Sequence, residues 1–111
     1  MDRQDRRAAV AAYKERKPAW GVYAVVCNAT GEAWVGRSTH LDTQQNGLWF
    51  SLRLGSGRCA SLQAAWTEHG ETEFRFEELD RLREDFPALG RDRELKKRQA
   101  LWTARLHGTA L

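Results

Sequence analysis

Gly21-Val22-Tyr23-Ala24-Val25-Val26-Cys27 is a glycine followed by an unbroken, largely β-branched apolar run. Asn28-Ala29-Thr30-Gly31-Glu32 is a polar turn containing a glycine, and Ala33-Trp34-Val35-Gly36 is apolar again. Two short strands around a Gly-bearing turn predict a β-hairpin. Strand side chains alternate, so Tyr23, Val25 and Cys27 share one side. A two- or four-residue loop puts Trp34 on that side, and a three-residue loop puts it on the other. The sequence leaves this register open.

Downstream, Leu41, Leu48 and Leu52 recur at helical spacing beside Trp49 and Phe50, with Gly55 as a C-cap. Gly55-Ser56-Gly57 reads as a loop, and Ser61 as the cap of a second helix with Leu62, Ala65 and Trp66 inside and Gly70 at its end. From Glu73 to Leu79, Phe74 and Phe76 alternate with Arg75 and Glu77, as in a third strand. Pro87 to Gly90 connects to a last helix, about Arg91 to His107, carrying Leu95, Trp102 and Leu106 on one side. Upstream, Ala8, Ala9, Ala11 and Ala12 predict a shallow helix over about Asp2 to Lys17, stopped by Pro18. The expected architecture is α+β: a small three-stranded antiparallel sheet flanked by helices in the order β-β-α-α-β-α. Residues 1–19 are the expected N-terminal basic helix and linker, and residues 20–107 the domain.

A chain of 111 residues has room for one modest core. No apolar run nears the ~20 residues that cross a bilayer, so no membrane partner is expected. The start, Met1-Asp2-Arg3-Gln4-Asp5-Arg6-Arg7, lacks the apolar core of a signal peptide. Cys27 and Cys59 stand far apart with no CxxC spacing, which disfavours zinc and disulfide scaffolds and suggests a reducing, cytoplasmic setting. Both read as small buried hydrophobes.

Net charge is +3, unevenly spread. Arg3, Arg6, Arg7, Lys14, Arg16 and Lys17 crowd the start, and Arg91, Arg93, Lys96, Lys97, Arg98 and Arg105 the last helix. Residues 71–85 are acidic, with Glu71, Glu73, Glu77, Glu78, Asp80, Glu84 and Asp85. Two basic ends suit a polyanion if they converge, whereas the plain alternative is solvated helix faces of mixed charge. Two amides stand on apolar stripes: Gln99 between Leu95 and Trp102, and Gln44 between Leu41 and Leu48. A buried polar group without a partner costs roughly 1–3 kcal/mol, so each should meet another polar group. Such residues serve equally well as structural glutamines bonded to nearby backbone.

Gly21-Val22-Tyr23 followed by Trp34-Val35-Gly36 resembles the two signature triplets of the GIY-YIG nuclease superfamily. Val35-Gly36-Arg37-Ser38-Thr39-His40-Leu41 resembles the segment entering that family's first helix. Leu62 to Gly70, then Phe74-Arg75-Phe76-Glu77, is similar to its passage from helix through Lys/His-Gly to third strand. The resemblance spans about residues 20 to 106. It implies phosphodiester cleavage with one divalent cation, a tyrosine in each triplet, a phosphate-holding Arg on the first helix and a metal-binding Glu on the last. The first tyrosine maps to Tyr23, the second to Trp34, the Arg to Gln44 and the Glu to Gln99. On this mapping the catalytic positions are Tyr23, Trp34, Gln44 and Gln99, with Arg37 and His40 as cationic help. Nucleic-acid contacts are expected from Arg37, Arg53, Lys96, Lys97 and Arg98.

Three of the four mapped positions have lost a charge or a titratable group. Metal-activated hydrolysis needs an anionic oxygen for a hard cation and positive charge opposite the developing phosphorane. An amide at 99 offers Mg²⁺ a carbonyl without charge, and an amide at 44 loses a charged, bidentate phosphate contact. Arg37, His40 or Arg53 could replace the cation, and Glu77, Asp80 or Glu94 a metal ligand, although Glu94 lies five residues before Gln99. Three readings follow. The first is a domain binding nucleic acid, DNA above all, with cleavage weakened or lost. The second is an active Mg²⁺-dependent endonuclease with an altered site. The third is a protein-interaction module docking through residues 71–85. Gln44→Arg with Gln99→Glu is expected to raise cleavage on an intact scaffold.

Overall fold

The computed structural model describes residues 19–111, and the helix expected over about residues 2–17 lies outside them. The hairpin is β1 (Gly21–Cys27) and β2 (Ala33–Ser38). Cys27 N–H donates to Glu32 O (2.9 Å) and Gly31 N–H to Cys27 O (2.8 Å), closing a four-residue loop with Gly31 at φ 78°. That left-handed turn suits glycine, which lacks the Cβ that makes positive φ costly. The even loop settles the parity: Val25 pairs with Trp34, and Trp34 joins Tyr23, Val25 and Cys27 in one core cluster.

Helix α1 (Leu41–Arg53) and helix α2 (Ala60–His69) follow, then a 3-10 turn (Glu71–Glu73), β3 (Phe74–Arg81), helix α3 (Arg91–Leu106) and β4 (Thr109–Ala110). The sheet order is β3-β1-β2-β4. β1 runs antiparallel to both neighbours, but β4 lies parallel to β2, Trp34 facing Thr109 and Val35 facing Ala110. The sheet is therefore mixed and four-stranded rather than antiparallel and three-stranded, and it extends beyond residue 107. His107 at φ 52° reverses the chain after α3, and Gly108 lets it pass Ala33.

β1 is buried along its whole length because it is an inner strand covered on both faces. Tyr23, Val25, Cys27 and Trp34 face Leu41, Trp49, Leu52, Leu62, Ala65 and Trp66, so α1 and α2 cover one side. Val22, Ala24, Val26, Ala33 and Val35 face Leu95, with Trp102 and Leu106 alongside, so α3 covers the other. At about 25 cal/mol per Å² of apolar area removed from water, these two layers are the main source of stability. Ser61 does not cap α2: the helix begins one residue earlier, with Cys59 as N-cap and no side-chain capping bond. β3 continues past Leu79 to Arg81, with a bulge where Val22 and Tyr23 pass Asp80 and Glu78. Cys27 is fully buried as expected, while Cys59 is half-buried at the α2 start.

The triplet glycines have a steric reason. A Cβ on Gly36 would sit 2.5 Å from both Cζ and Oη of Tyr23, and one on Gly21 would collide with Asp80 O of β3. Gly36 thus makes room for the ring of Tyr23 on the neighbouring strand. Gly21 lets β1 and β3 approach. No described helix is long and apolar enough to cross a membrane.

Candidate nucleic-acid interface

Alternation along β2 divides its residues between the two faces of the sheet. Trp34, Gly36 and Ser38 belong to the α1/α2 side, while Ala33, Val35 and Arg37 belong to the α3 side. A groove lies on each side, and both meet at the end of β2.

The larger cleft encloses about 840 Å³ and is lined by Tyr23, Gly36, Arg37, His40, Gln44, Arg58 and Leu111 among others. Tyr23 is 5% exposed and stacks on Phe76, centroids 5.0 Å apart and rings within 15° of parallel. Burial pushes its phenol pKa up, so the hydroxyl is neutral at ordinary pH and acts as a hydrogen-bond donor or acceptor. Gln44 is placed by α1, one turn from its start. Its Oε1 accepts from Ser38 Oγ (2.7 Å), which accepts in turn from His40 N–H (2.9 Å). No described residue takes the Gln44 Nε2 hydrogens, so they are free to donate into the cleft. His40 is exposed at the rim, its Nδ1 3.2 Å from Thr39 Oγ1.

Gln99 lines a second groove of about 640 Å³ with Arg37, Lys96, Thr103 and His107. It is only 6% exposed and fully engaged. Nε2 donates to Val35 O (2.8 Å) and Leu111 O (3.1 Å), and Oε1 accepts from Arg37 Nη1 (3.1 Å). Arg37 and Ala110 line both grooves, so the β2–β4 edge is their shared wall. Tyr23 and Gln44 therefore share one cleft, and Gln99 faces the next one across the sheet edge. Arg37 links the two.

Trp34 does not reach either groove. It is 1% exposed, packed on Phe74, and donates Nε1–H to Ser61 Oγ (3.0 Å). The shared parity that brings it beside Tyr23 also turns it under α2, where a large apolar ring is best buried. Arg53 pairs with Glu71 through both carboxylate oxygens (2.5 and 3.0 Å), and Arg98 is divided between Glu94 and Asp80 (both 2.8 Å). Neither is a spare cation. Lys97 is exposed, and Lys96 Nζ lies 3.2 Å from Asp92.

The acidic segment is answered locally. Glu71 meets Arg53, Glu77 meets Arg75, Glu78 meets Arg81, and Asp80 meets Arg98. Hydrogen bonding to Arg53 lowers the Glu71 pKa, and bonds to Glu78 and Asp42 raise that of Arg81.

A divalent cation does not fit the residues at position 99. Its only side-chain oxygen faces a guanidinium, and Glu94, Glu77 and Asp80 are each committed to an arginine. No group of three or more His, Cys, Asp or Glu suited to a metal occurs among the described residues.

Sequence-based reasoning missed Ser38, Arg58, Ala110 and Leu111. A Ser-Thr pair just before a helix signals Ser38, and a basic residue after Gly55-Ser56-Gly57 signals Arg58. Ala110 and Leu111 left no local signal.

No protein-family model and no curated protein matches the chain. Two solved structures share its fold. The catalytic domain of homing endonuclease I-TevI superposes with a TM-score of 0.66 at 18% identity, over 83% of this chain and 97% of that one. A mutant catalytic domain of intron endonuclease I-TevI gives 0.67 at 17% identity, over 80% of this chain and 84% of that one. The chain carries the GIY-YIG fold that its two triplets suggested.

Proposed function

We propose that this protein is a nucleic-acid-binding domain on a GIY-YIG scaffold, directed at DNA, with phosphodiester cleavage weakened or lost. The observation that carries this is the chemistry of the two amides. Gln44 offers neutral N–H groups to the cleft that holds Tyr23, and Gln99 has both ends engaged inside the protein. Tyr23 can position a phosphate oxygen or a water, and Gln44 can donate to the same group. Arg37 and Arg58 supply positive charge at the walls. Neither amide position offers a carboxylate to hold a hard cation, and Tyr23 is not ionised near neutrality, so the cleft has no anionic ligand for an activating ion and its phenol is no base. What remains is suited to holding a backbone phosphate. The solved structures of this fold bear the names of endonucleases, which supports a nucleic-acid ligand.

The test measures two things on one preparation. Fluorescence anisotropy with a labelled DNA duplex should show binding that weakens steeply as salt rises. A supercoiled plasmid incubated with Mg²⁺ or Mn²⁺ should be nicked weakly or not at all. Robust metal-dependent nicking would instead assign an active endonuclease with an altered site. Salt-insensitive or undetectable duplex binding would refute the DNA reading.

A further inference from the structure

We infer that the Arg37 guanidinium, oriented by Gln99, takes the role of a divalent cation at this site and grips nucleic-acid phosphate without any metal. This rests on the DNA-binding reading above and adds to it the group that does the gripping.

Arg37 projects from the penultimate position of β2 to the α3 side, yet it lines the grooves on both sides of the sheet edge. Its Nη1 donates to Gln99 Oε1 at 3.1 Å. Gln99 is itself fixed, because its Nε2 is bonded to Val35 O of β2 and to Leu111 O beyond β4. An almost fully buried amide with no freedom of its own thus orients a guanidinium whose side chain is 39% exposed.

The charge state of residue 99 decides what this pair can do. A neutral amide accepts one guanidinium N–H and leaves the positive charge intact. A carboxylate there would cancel it. The guanidinium carries five N–H donors in a planar fork matched to two phosphate oxygens, and one donor suffices for Gln99. The remaining competitor is Asp92, whose Oδ1 lies 3.7 Å from Arg37 Nε and whose Oδ2 lies 3.2 Å from Lys96 Nζ. Asp92 is well exposed, and 3.7 Å is longer than a charge-assisted hydrogen bond. A phosphate can displace it, and then meets Arg37 and Lys96 together.

Binding of a short labelled duplex to the whole protein tests this in EDTA and in millimolar Mg²⁺. Affinity in EDTA should equal or exceed that in Mg²⁺. Arg37→Gln should weaken binding roughly five- to tenfold and reduce the salt slope by about 1. Asp92→Asn should strengthen it several-fold, a gain that misfolding cannot mimic. Gln99→Glu, checked by thermal melting, should weaken binding as Arg37→Gln does and bring no Mg²⁺-dependent nicking. Binding that EDTA abolishes, Arg37→Gln binding at wild-type affinity, Asp92→Asn without gain, or nicking acquired by Gln99→Glu would each overturn the inference while leaving the DNA reading in place. No duplex binding by the unaltered protein, even at low salt, overturns the DNA reading and this inference together.

Discussion

Trp34 stands in a triplet where the resembled family has a tyrosine, and its surroundings show why restoring a phenol there would not rebuild a site. The indole is enclosed between β2 and α2, with Nε1–H on Ser61 Oγ and its ring against Phe74. Trp34→Tyr should cost about 1–3 kcal/mol from lost packing and the lost bond, seen as a lower melting temperature, with duplex affinity unchanged. An affinity change without a stability change would place residue 34 in the cleft after all. Tyr23 makes a pH-dependent prediction. Burial raises its pKa in the folded protein, whereas the unfolded chain releases the proton near the ordinary value of about 10. Above that pH the unfolded state binds fewer protons than the native state, so stability falls as pH climbs. Tyr23→Phe should flatten this alkaline loss, measured by denaturant unfolding on both sides of the ordinary phenol pKa. Gly36→Ala attacks the same ring from the other strand. Its Cβ would press on the phenol head, which cannot retreat because the ring is stacked on Phe76. Overpacking of this kind costs about 1–3 kcal/mol.

β4 adds least to the sheet and most to the site. It is two residues long, yet Leu111 N–H donates to Val35 O (2.8 Å), Leu111 O accepts from Gln99, and Ala110 forms the wall between the grooves. Removing residues 109–111 should cost about 2–4 kcal/mol, since the two Leu111 bonds are lost together with those that pair β4 to β2. It should also bare the outer edge of β2, whose unpaired groups invite another strand. Light scattering at rising concentration should then detect more self-association than in the whole chain. A shortened protein that associates no more than the whole chain and melts unchanged would make β4 incidental. The same strand marks the limit of what the sequence discloses. The hairpin, both middle helices, β3 and α3 are written in periodicity and glycine punctuation, since each buries a stripe long enough to repeat. Thr109-Ala110 is too short for alternation and is held by Trp34 and Val35, some 75 positions earlier in the chain. Its pairing is a tertiary fact. The amides divide in the same way. Their positions on apolar stripes foretold that both needed polar partners, but Ser38, Arg37, Val35 and Leu111 come from other elements and could not be named. Nor could the loop parity that sends Trp34 into the core with Tyr23 while leaving only Tyr23 on the cleft wall.

At the scale of the molecule, net charge is a poor guide to the polyanion surface because, among residues 19–111, so many cations are already matched. Arg53, Arg75, Arg81 and Arg98 each hold a carboxylate, and all four acceptors lie in the 71–85 segment that looked like an acidic docking face. That pairing removes at once most of the acidic patch and much of the basic one. Two arginines are further occupied by aromatic faces, Arg91 over Trp20 at 5.5 Å and Arg105 over Trp102 at 4.9 Å. Arg37, Arg58 and Lys96 are the cations that line the two grooves. Each phosphate neutralised contributes roughly −0.9 to the slope of log affinity against log salt. Among the described residues these three contacts contribute a slope of about −3, well below what the twelve Lys and Arg of residues 19–111 would suggest. Arg58→Ala should lower that slope by about 1, as expected for a phosphate contact. Arg53→Ala and Arg98→Ala should leave it unchanged, with Arg98→Ala lowering the melting temperature because it strands the half-buried Asp80 and Glu94. A steep slope that falls on losing Arg53 or Arg98 would mean that their carboxylate partners give way to DNA, and that the binding surface wraps around β3 instead of the β2–β4 edge.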